Sequence, residues 1–254
     1  MEKNKKIKGL SSSTLKYIAA FAMLVDHAAY VLIYQGMLQF QGEYIQNPSA
    51  APAEFQNWYL AYTLMRMFGR IAFPIFCYVL VEGFLHTSNL KKYLTRLAIF
   101  ALISEIPFDL ALYQTPFHFG YQNVIFTMLI GLATIAGMRY LGFDNKEKQM
   151  SLILRLLPMV PFFIGFALAE VLCTDYSGMG VALIVILYYF KTSRTAQILF
   201  GCLLCASNPT ALFGFIPVHF YNGTKGHSLK YFFYIFYPAH LLVLYLLGLF
   251  ISFG

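Results

Sequence analysis

Apolar stretches near the length of a membrane-crossing helix follow one another along almost the whole chain, with short polar loops between them. A crossing helix needs about 20 apolar residues to traverse a hydrocarbon core about 30 Å thick. The stretches are read at 15 to 38, 58 to 84, 93 to 113, 122 to 141, 152 to 172, 176 to 190, 195 to 207, 209 to 221 and 231 to 252. The expected fold class is therefore all-α, a polytopic transmembrane helical bundle of about nine helices. The stretches at 195 to 207 and 209 to 221 are short, and re-entrant segments are an open reading for both. Little is left for a soluble domain: residues 1 to 14 are read as a basic cytoplasmic segment and 15 to 254 as one integral membrane domain. A makeup of 59% hydrophobic and 11% charged residues agrees, because such a chain is solvated mostly by lipid.

The net charge of +7 does not point to nucleic acid, since the basic residues stand scattered between apolar runs instead of forming a patch. Lys3, Lys5, Lys6 and Lys8 precede the first stretch, and Lys91, Lys92 and Arg96 lie between the second and third. Arg139, Lys146 and Lys148 follow the fourth, Lys191 and Arg194 the sixth, and Lys225 and Lys230 precede the last. The alternate loops carry no Lys or Arg. That alternation is what the positive-inside rule produces, so the N-terminus is expected in the cytoplasm and the C-terminus outside, with an odd number of crossings.

No cleavable signal peptide is expected, because the first apolar run is too long for one and holds charged residues at its centre. Cys77, Cys173, Cys202 and Cys205 fall in or beside apolar stretches, which argues against a disulfide framework, and no metal site is expected. The segment Gln39 to Gln56, with Pro48 and Pro52, is the longest external loop and is expected to cap the outer opening.

Asp26 and His27 stand side by side in the middle of the first stretch. An ionisable group at mid-bilayer costs roughly 2.5 to 3.5 kcal/mol on insertion scales, so it marks a protein interior or a water-filled cavity. Lys16 precedes His27 by eleven residues, and eleven steps of about 100° return to nearly the same helix face while climbing about 16 Å. The stripe suits an extended ligand with an anionic head at the cytoplasmic rim and a reactive tail at mid-depth. Arg66 and Arg70 on the second stretch, and Glu105 and Asp109 on the third, are each four apart. A structural ion pair of Arg66 or Arg70 with Glu105 is the competing reading for these groups. Asp109 is expected near the outer interface, solvated, and Pro74 is expected to bend the second helix. Asn123 and Thr127, four apart on the fourth stretch, are candidate lining residues, with an interhelical hydrogen bond as the alternative. His240 lies inside the last stretch, and His219 near Asn222 at an inner rim.

Several of these runs together carry a family likeness. Leu15-Lys16-Tyr17-Ile18-Ala19 with Asp26-His27, Gly69-Arg70-Ile71-Ala72-Phe73-Pro74, Tyr93 with Arg96-Leu97, Ser104-Glu105-Ile106-Pro107-Phe108 and Asn123-Val124-Ile125-Phe126-Thr127 come in this order. Asp175-Tyr176-Ser177-Gly178, Tyr221-Asn222-Gly223 and Phe236-Tyr237-Pro238-Ala239-His240-Leu241 follow. From Leu15 to about Leu242 the chain resembles the TraX family of membrane proteins, named for the conjugative pilin acetylase. The resemblance implies an acetyl-CoA-dependent acyltransferase of the bacterial cytoplasmic membrane, similar to bacterial O-acetylation proteins and the lysosomal heparan acetyltransferase. In those a first-helix histidine is tied to acyl transfer and a basic residue lies upstream, an arrangement that Lys16 and His27 match.

The expected reaction moves an acetyl group from cytosolic acetyl-CoA to an amine or hydroxyl acceptor: a protein N-terminus, an amino sugar, a glycan or a small amine. His27 is the expected general base, or the site of a transient acyl group, with Asp26 or Glu105 orienting its ring. Arg66, Arg70, Asn123, Thr127 and His240 are the candidate substrate-binding residues, and Lys16, His219, Asn222, Lys225 and Lys230 the candidate contacts to CoA. Membrane lipids are the surrounding partner, and self-association into a homo-oligomer is left open. A proton-coupled or small-molecule transporter, with Asp26, His27, Glu105 and His240 as a relay, is the alternative.

Overall fold

The computed structural model describes residues 8–34, 37, 44, 47, 49, 51–145, 156–227 and 231–250. The secondary structure among them is helical, apart from two isolated backbone pairings, Leu10 with Tyr221 and Gln122 with Thr174. Helix α1 spans Ser12–Ala28 and runs on as a π-helical turn, Ala29–Tyr34. It is followed by α2 (Ala53–Gly69), α3 (Ala72–His86), α4 (Leu90–Tyr113), α5 (Val124–Tyr140) and α6 (Val160–Val171). Helices α7 (Ser177–Tyr189), α8 (Arg194–Leu204), α9 (Phe215–His219) and α10 (Phe232–Phe250) complete the order.

Among the described residues, three helical segments are long and apolar enough to cross a membrane: Ser12–Tyr34 with 23 residues, Ala53–His86 with 34 and Phe232–Phe250 with 19. Val124–Tyr140, Leu157–Val171, Ser177–Tyr189 and Arg194–Leu204 are shorter apolar helices. Large apolar side chains stand exposed along them, among them Leu102 at 67%, Phe163 at 67% and Leu249 at 60%. Outward-facing Leu, Ile and Phe in such density are what a lipid-facing surface needs. These observations make the chain an all-helical membrane protein.

Two expected stretches are built differently. The second is longer than its expected 58 to 84 and broken, α2 ending at Gly69 and α3 starting at Ala72. Pro74 has no N–H to donate, and it sits in the first turn of the new helix, where an N–H has no intrahelical partner to lose. The stretch expected at 209 to 221 is a 3-10 turn, Pro209–Gly214, leading into the five-residue α9. Half of the external loop, together with Lys146, Lys148 and Lys230, falls outside the described residues.

The chain divides into two compact units, one from Met1–Val79 and Cys205–Gly254, the other from Leu80–Leu204, with the border inside α3. In the first, α1 packs on α2 and α10, and the π-helical turn packs on the same two helices. In the second, α5 is central, against α4, α6 and α7, with α8 on α7. Its tight packing is visible at Gly131 of α5, where a Cβ would stand 3.3 Å from Ile184 Cβ of α7. Small residues of this kind let membrane helices approach closely, which supplies packing where lipid supplies no hydrophobic drive.

Candidate functional site

Consecutive residues on a helix project about 100° apart, so Asp26 and His27 face different neighbours. Asp26 meets α2, where the Arg66 guanidinium donates to its Oδ2 in an ion pair whose side chains are 23% and 16% exposed. Gly69, three residues on from Arg66, makes room, since a Cβ there would stand 2.6 Å from Asp26 Cγ. Arg66 also lies over the Tyr30 ring, its Cζ 5.6 Å from the centroid. Tyr30 stacks on Tyr34 at 5.1 Å and Tyr34 on Tyr62 at 5.2 Å, so a tyrosine wall continues from the ion pair.

His27 meets α10. Its Nδ1 is 2.7 Å from His240 Nε2, and His240 Nδ1 is in turn 2.8 Å from the Phe236 carbonyl oxygen. His240 is buried, with the Phe236 ring stacked on it at 4.9 Å, while His27 is half-buried. Tyr237 stands edge-on to both imidazoles, at 6.2 Å from His27 and 5.7 Å from His240. The π-helical turn begins two residues after His27, a deviation that recurs beside functional groups because it re-aims side chains.

At the other end of α1 the candidate CoA contacts are tied together by backbone pairing. Leu10 N donates to Phe220 O at 2.8 Å, Asn222 N to Leu10 O at 2.9 Å, Ser12 N to Thr224 O at 2.8 Å and Ser13 N to Lys225 O at 3.0 Å. Asn222 Oδ1 takes the Thr224 amide at 3.0 Å, and its Nδ2 reaches Gly9 O at 3.2 Å. The first amides of α1 are thus already used, Thr14 N by the Ser11 cap at 3.2 Å. An anion at this end has to be held by side chains. Lys16 stands beside the Phe233 ring at 5.7 Å, and the charge of Lys225 is felt at its ammonium. His219 is exposed at the end of α9.

The second unit holds the other expected residues in a different setting. Asn123 caps α5, its Oδ1 accepting Ile125 N at 3.0 Å, while its Nδ2 donates to Ala101 O at 2.9 Å and to the Glu105 carboxylate. Thr127 donates to the Asp175 carbonyl, and Tyr121 OH to Asp175 Oδ1 at 2.9 Å. Asp109, expected solvated, is 2% exposed, because the loop after α4 folds back and His118 N donates to it at 2.7 Å.

Two expected contacts are therefore replaced. Arg66 pairs with Asp26 instead of Glu105, whose Oε2 is taken by Asn123. The contact to the His27 ring, expected from Asp26 or Glu105, comes from His240. Arg70 closes α2 as its C-cap, in the first unit. Tyr30 and Tyr62 escaped the sequence reading. A signal for both existed: Tyr30 follows Asp26, and Tyr62 precedes Arg66, by four residues, the spacing of helix neighbours.

Comparison with known proteins agrees with this arrangement in extent. A family model described as TraX protein matches residues 11–248, which takes in Lys16, the Asp26–Arg66 and His27–His240 pairs and Lys225. A probable fimbrial assembly protein FimC, serogroup H1, from Dichelobacter nodosus is 28% identical over 265 residues, covering 92% of this chain and 94% of the relative. No solved structure matches. With a family match over nearly the whole chain, this protein belongs to the TraX family.

Proposed function

We propose that the protein is a multi-pass enzyme of the cell membrane that transfers an acetyl group from cytosolic acetyl-CoA to an amine or hydroxyl acceptor. The observation that carries this reading is the layout of the first unit. Lys16, Lys225 and Asn222 are gathered where α1 begins, and the His27–His240 pair lies eleven residues further along α1. Eleven helical residues cover about 16 Å, a span suited to the pantetheine arm between CoA phosphates and thioester. Charge alternation along the chain puts the α1 start on the cytoplasmic side, where acetyl-CoA is made, and the C-terminus outside. Nine crossings, or seven with residues 194–219 entering and returning on one side, keep the required odd count; α8, with 11 residues, covers only about 16 Å by itself.

In the reaction His27 takes the proton of the acceptor N–H or O–H as that atom attacks the thioester carbonyl. The tetrahedral adduct collapses with cleavage of the C–S bond, and the proton passes from His27 to the departing sulfur, giving CoA thiol and the acetylated acceptor. No proton is gained or lost overall for a neutral acceptor. The family likeness to a pilin acetylase supports this chemistry, and the relative's designation as a fimbrial assembly protein supports a pilus-related setting.

The test is titration of the purified protein in nanodiscs with acetyl-CoA, CoA and dephospho-CoA, followed by turnover of His27→Ala. Saturable CoA binding retained in the variant, with turnover down about 10²- to 10⁴-fold, is the expected result. Absence of CoA binding by folded protein overturns the reading.

A further inference from the structure

We propose that His240 is the positioning residue of the acyl-transfer site: it fixes His27 in the Nδ1–H tautomer and so makes Nε2 the basic atom. This deepens the acyltransferase reading, and it rests on that reading for the reaction but not for the tautomer.

The direction of the hydrogen-bond chain follows from its last member. A backbone carbonyl only accepts, so the hydrogen between His240 Nδ1 and Phe236 O, 2.8 Å apart, belongs to His240. A neutral imidazole carries one N–H, which leaves His240 Nε2 with a lone pair. That lone pair faces His27 Nδ1 at 2.7 Å, and two lone pairs cannot face each other at that distance. His27 Nδ1 therefore carries the hydrogen, and His27 Nε2 is its unprotonated nitrogen. One carbonyl of α10 thus decides which atom of α1 can take a proton.

Packing holds the arrangement. The Phe236 ring lies nearly parallel to His240, 11° apart, and Tyr237 stands edge-on at 67°, which leaves the His240 ring little freedom to turn. The Asp26 carboxylate, next in sequence to His27, pairs with Arg66, and the group at His27 Nδ1 is His240. In a histidine oriented by a carboxylate, the partner's negative charge stabilises the imidazolium. Here a neutral imidazole and a carbonyl dipole take that place, and the charge formed on His27 is spread through the Nδ1–H bond to His240. When Nε2 takes the acceptor's proton, the Nδ1–H stays where it is, and the same Nε2 returns the proton to sulfur.

The deciding experiment is a ¹⁵N spectrum of histidine-labelled protein in nanodiscs at a pH where both rings are neutral. His27→Ala and His240→Phe serve to assign the two rings. The expected result is Nδ1–H on both histidines, with His27 losing that preference in His240→Phe. Nε2–H on His27 in the unaltered protein overturns the proposal whether or not the protein transfers acetyl groups. Turnover provides the functional arm: His240→Phe is expected to lower kcat about 100-fold with KM for acetyl-CoA within about twofold. His240→Gln, whose amide oxygen can still accept from His27 Nδ1, is expected to recover at least tenfold of that loss. Equal loss in the Phe and Gln variants, both folded as judged by melting, overturns the positioning role. A protein that shows the tautomer but no acetyl transfer to any amine or hydroxyl refutes the enzyme reading alone.

Discussion

The two units treat their polar groups differently. In the first, ionisable side chains meet one another across helices: Asp26 of α1 with Arg66 of α2, and His27 of α1 with His240 of α10. In the second, the polar side chains mostly serve backbone, with Asn123 reaching the Glu105 carboxylate besides: Asn123 caps α5 and reaches Ala101 O, Thr127 holds the Asp175 carbonyl, and Asp109 holds His118 N. A capping side chain satisfies an orphan donor that lipid cannot, and this is reason enough for it to be there. A pair of imidazoles satisfies no such need. The contrast teaches that a polar residue inside a membrane protein is read by its partner: a backbone partner marks a residue that completes the fold, and an ionisable partner on another helix marks one to test for chemistry.

The comparison is broken most forcefully at the ion pair. Arg66→Ala leaves the Asp26 carboxylate partly buried without its cation, and removing one member of such a pair costs about 3 kcal/mol. Melting of the variant in nanodiscs measures this. Combining Asp26→Asn with Arg66→Met removes both charges and is expected to recover most of the loss, while turnover stays low if the pair lines the acyl site. Recovery of both stability and turnover would move the pair to the structural side of the contrast.

Gly69→Ala tests the same pair sterically. The new methyl overlaps Asp26, whose Cγ would be 2.6 Å away, and overpacking of this kind costs about 2 kcal/mol. In an Asp26→Gly background the cost should nearly vanish, because the Asp26 Cβ is itself among the atoms that the new methyl would overlap. A Gly69→Ala penalty that persists unchanged there would mean that the glycine serves something other than the ion pair.

How much of this was legible in the sequence depends on the range of the interaction. The stripe from Lys16 to His27 lies on one helix, and helical geometry alone placed its ends. The His27–His240 contact joins residues 213 apart, and no periodicity reports which two helices will be neighbours. That Arg66 would pair with Asp26 was equally hidden, since Arg66 and Arg70 share a helix face by spacing. The break after Gly69 sets the two apart: Arg66 stays within α2 beside α1, and Arg70 is the cap where that helix ends. Pro74 foretold a disruption, but its effect falls in the turn before it, where its ring crowds the preceding backbone. Asp109 was misplaced for a further reason: depth along a helix was readable, the folding back of the following loop was not.

In the second unit a smaller effect is expected from Asn123→Ala. Loss of the cap costs about 1 kcal/mol, read as a fall in melting temperature. Turnover per folded molecule then sharpens the contrast. An unchanged value leaves Asn123 a capping residue, and a raised KM for the acceptor makes it part of the acyl site.

The smallest effect belongs to an ion pair of the second unit that is chemically like Asp26–Arg66 but stands in water. Asp144, in the turn after α5, meets Lys191 and the Tyr188 hydroxyl, the latter at 2.9 Å, with Arg139 Nε at 3.9 Å. Burial pushes its carboxyl up, but the hydrogen bonds from Lys191 and Tyr188 and the charges of Lys191 and Arg139 outweigh burial and hold it below the ordinary carboxylate range. A folded-state value below the unfolded one gives stabilisation that is fully present above the unfolded carboxyl's value, about pH 4, and is lost as pH falls through the folded value. The Asp144 side chain is 39% exposed, so solvent screens the pair and its contribution is about 0.5 kcal/mol. Melting followed from about pH 6 down to pH 3 should therefore show the Asp144→Asn variant slightly less stable than the unaltered protein at the upper end and converging with it at the lower. A variant more stable than the unaltered protein at the upper end would mean that burial outweighs the Lys191 and Tyr188 hydrogen bonds at Asp144, and that this exposed pair stabilises nothing.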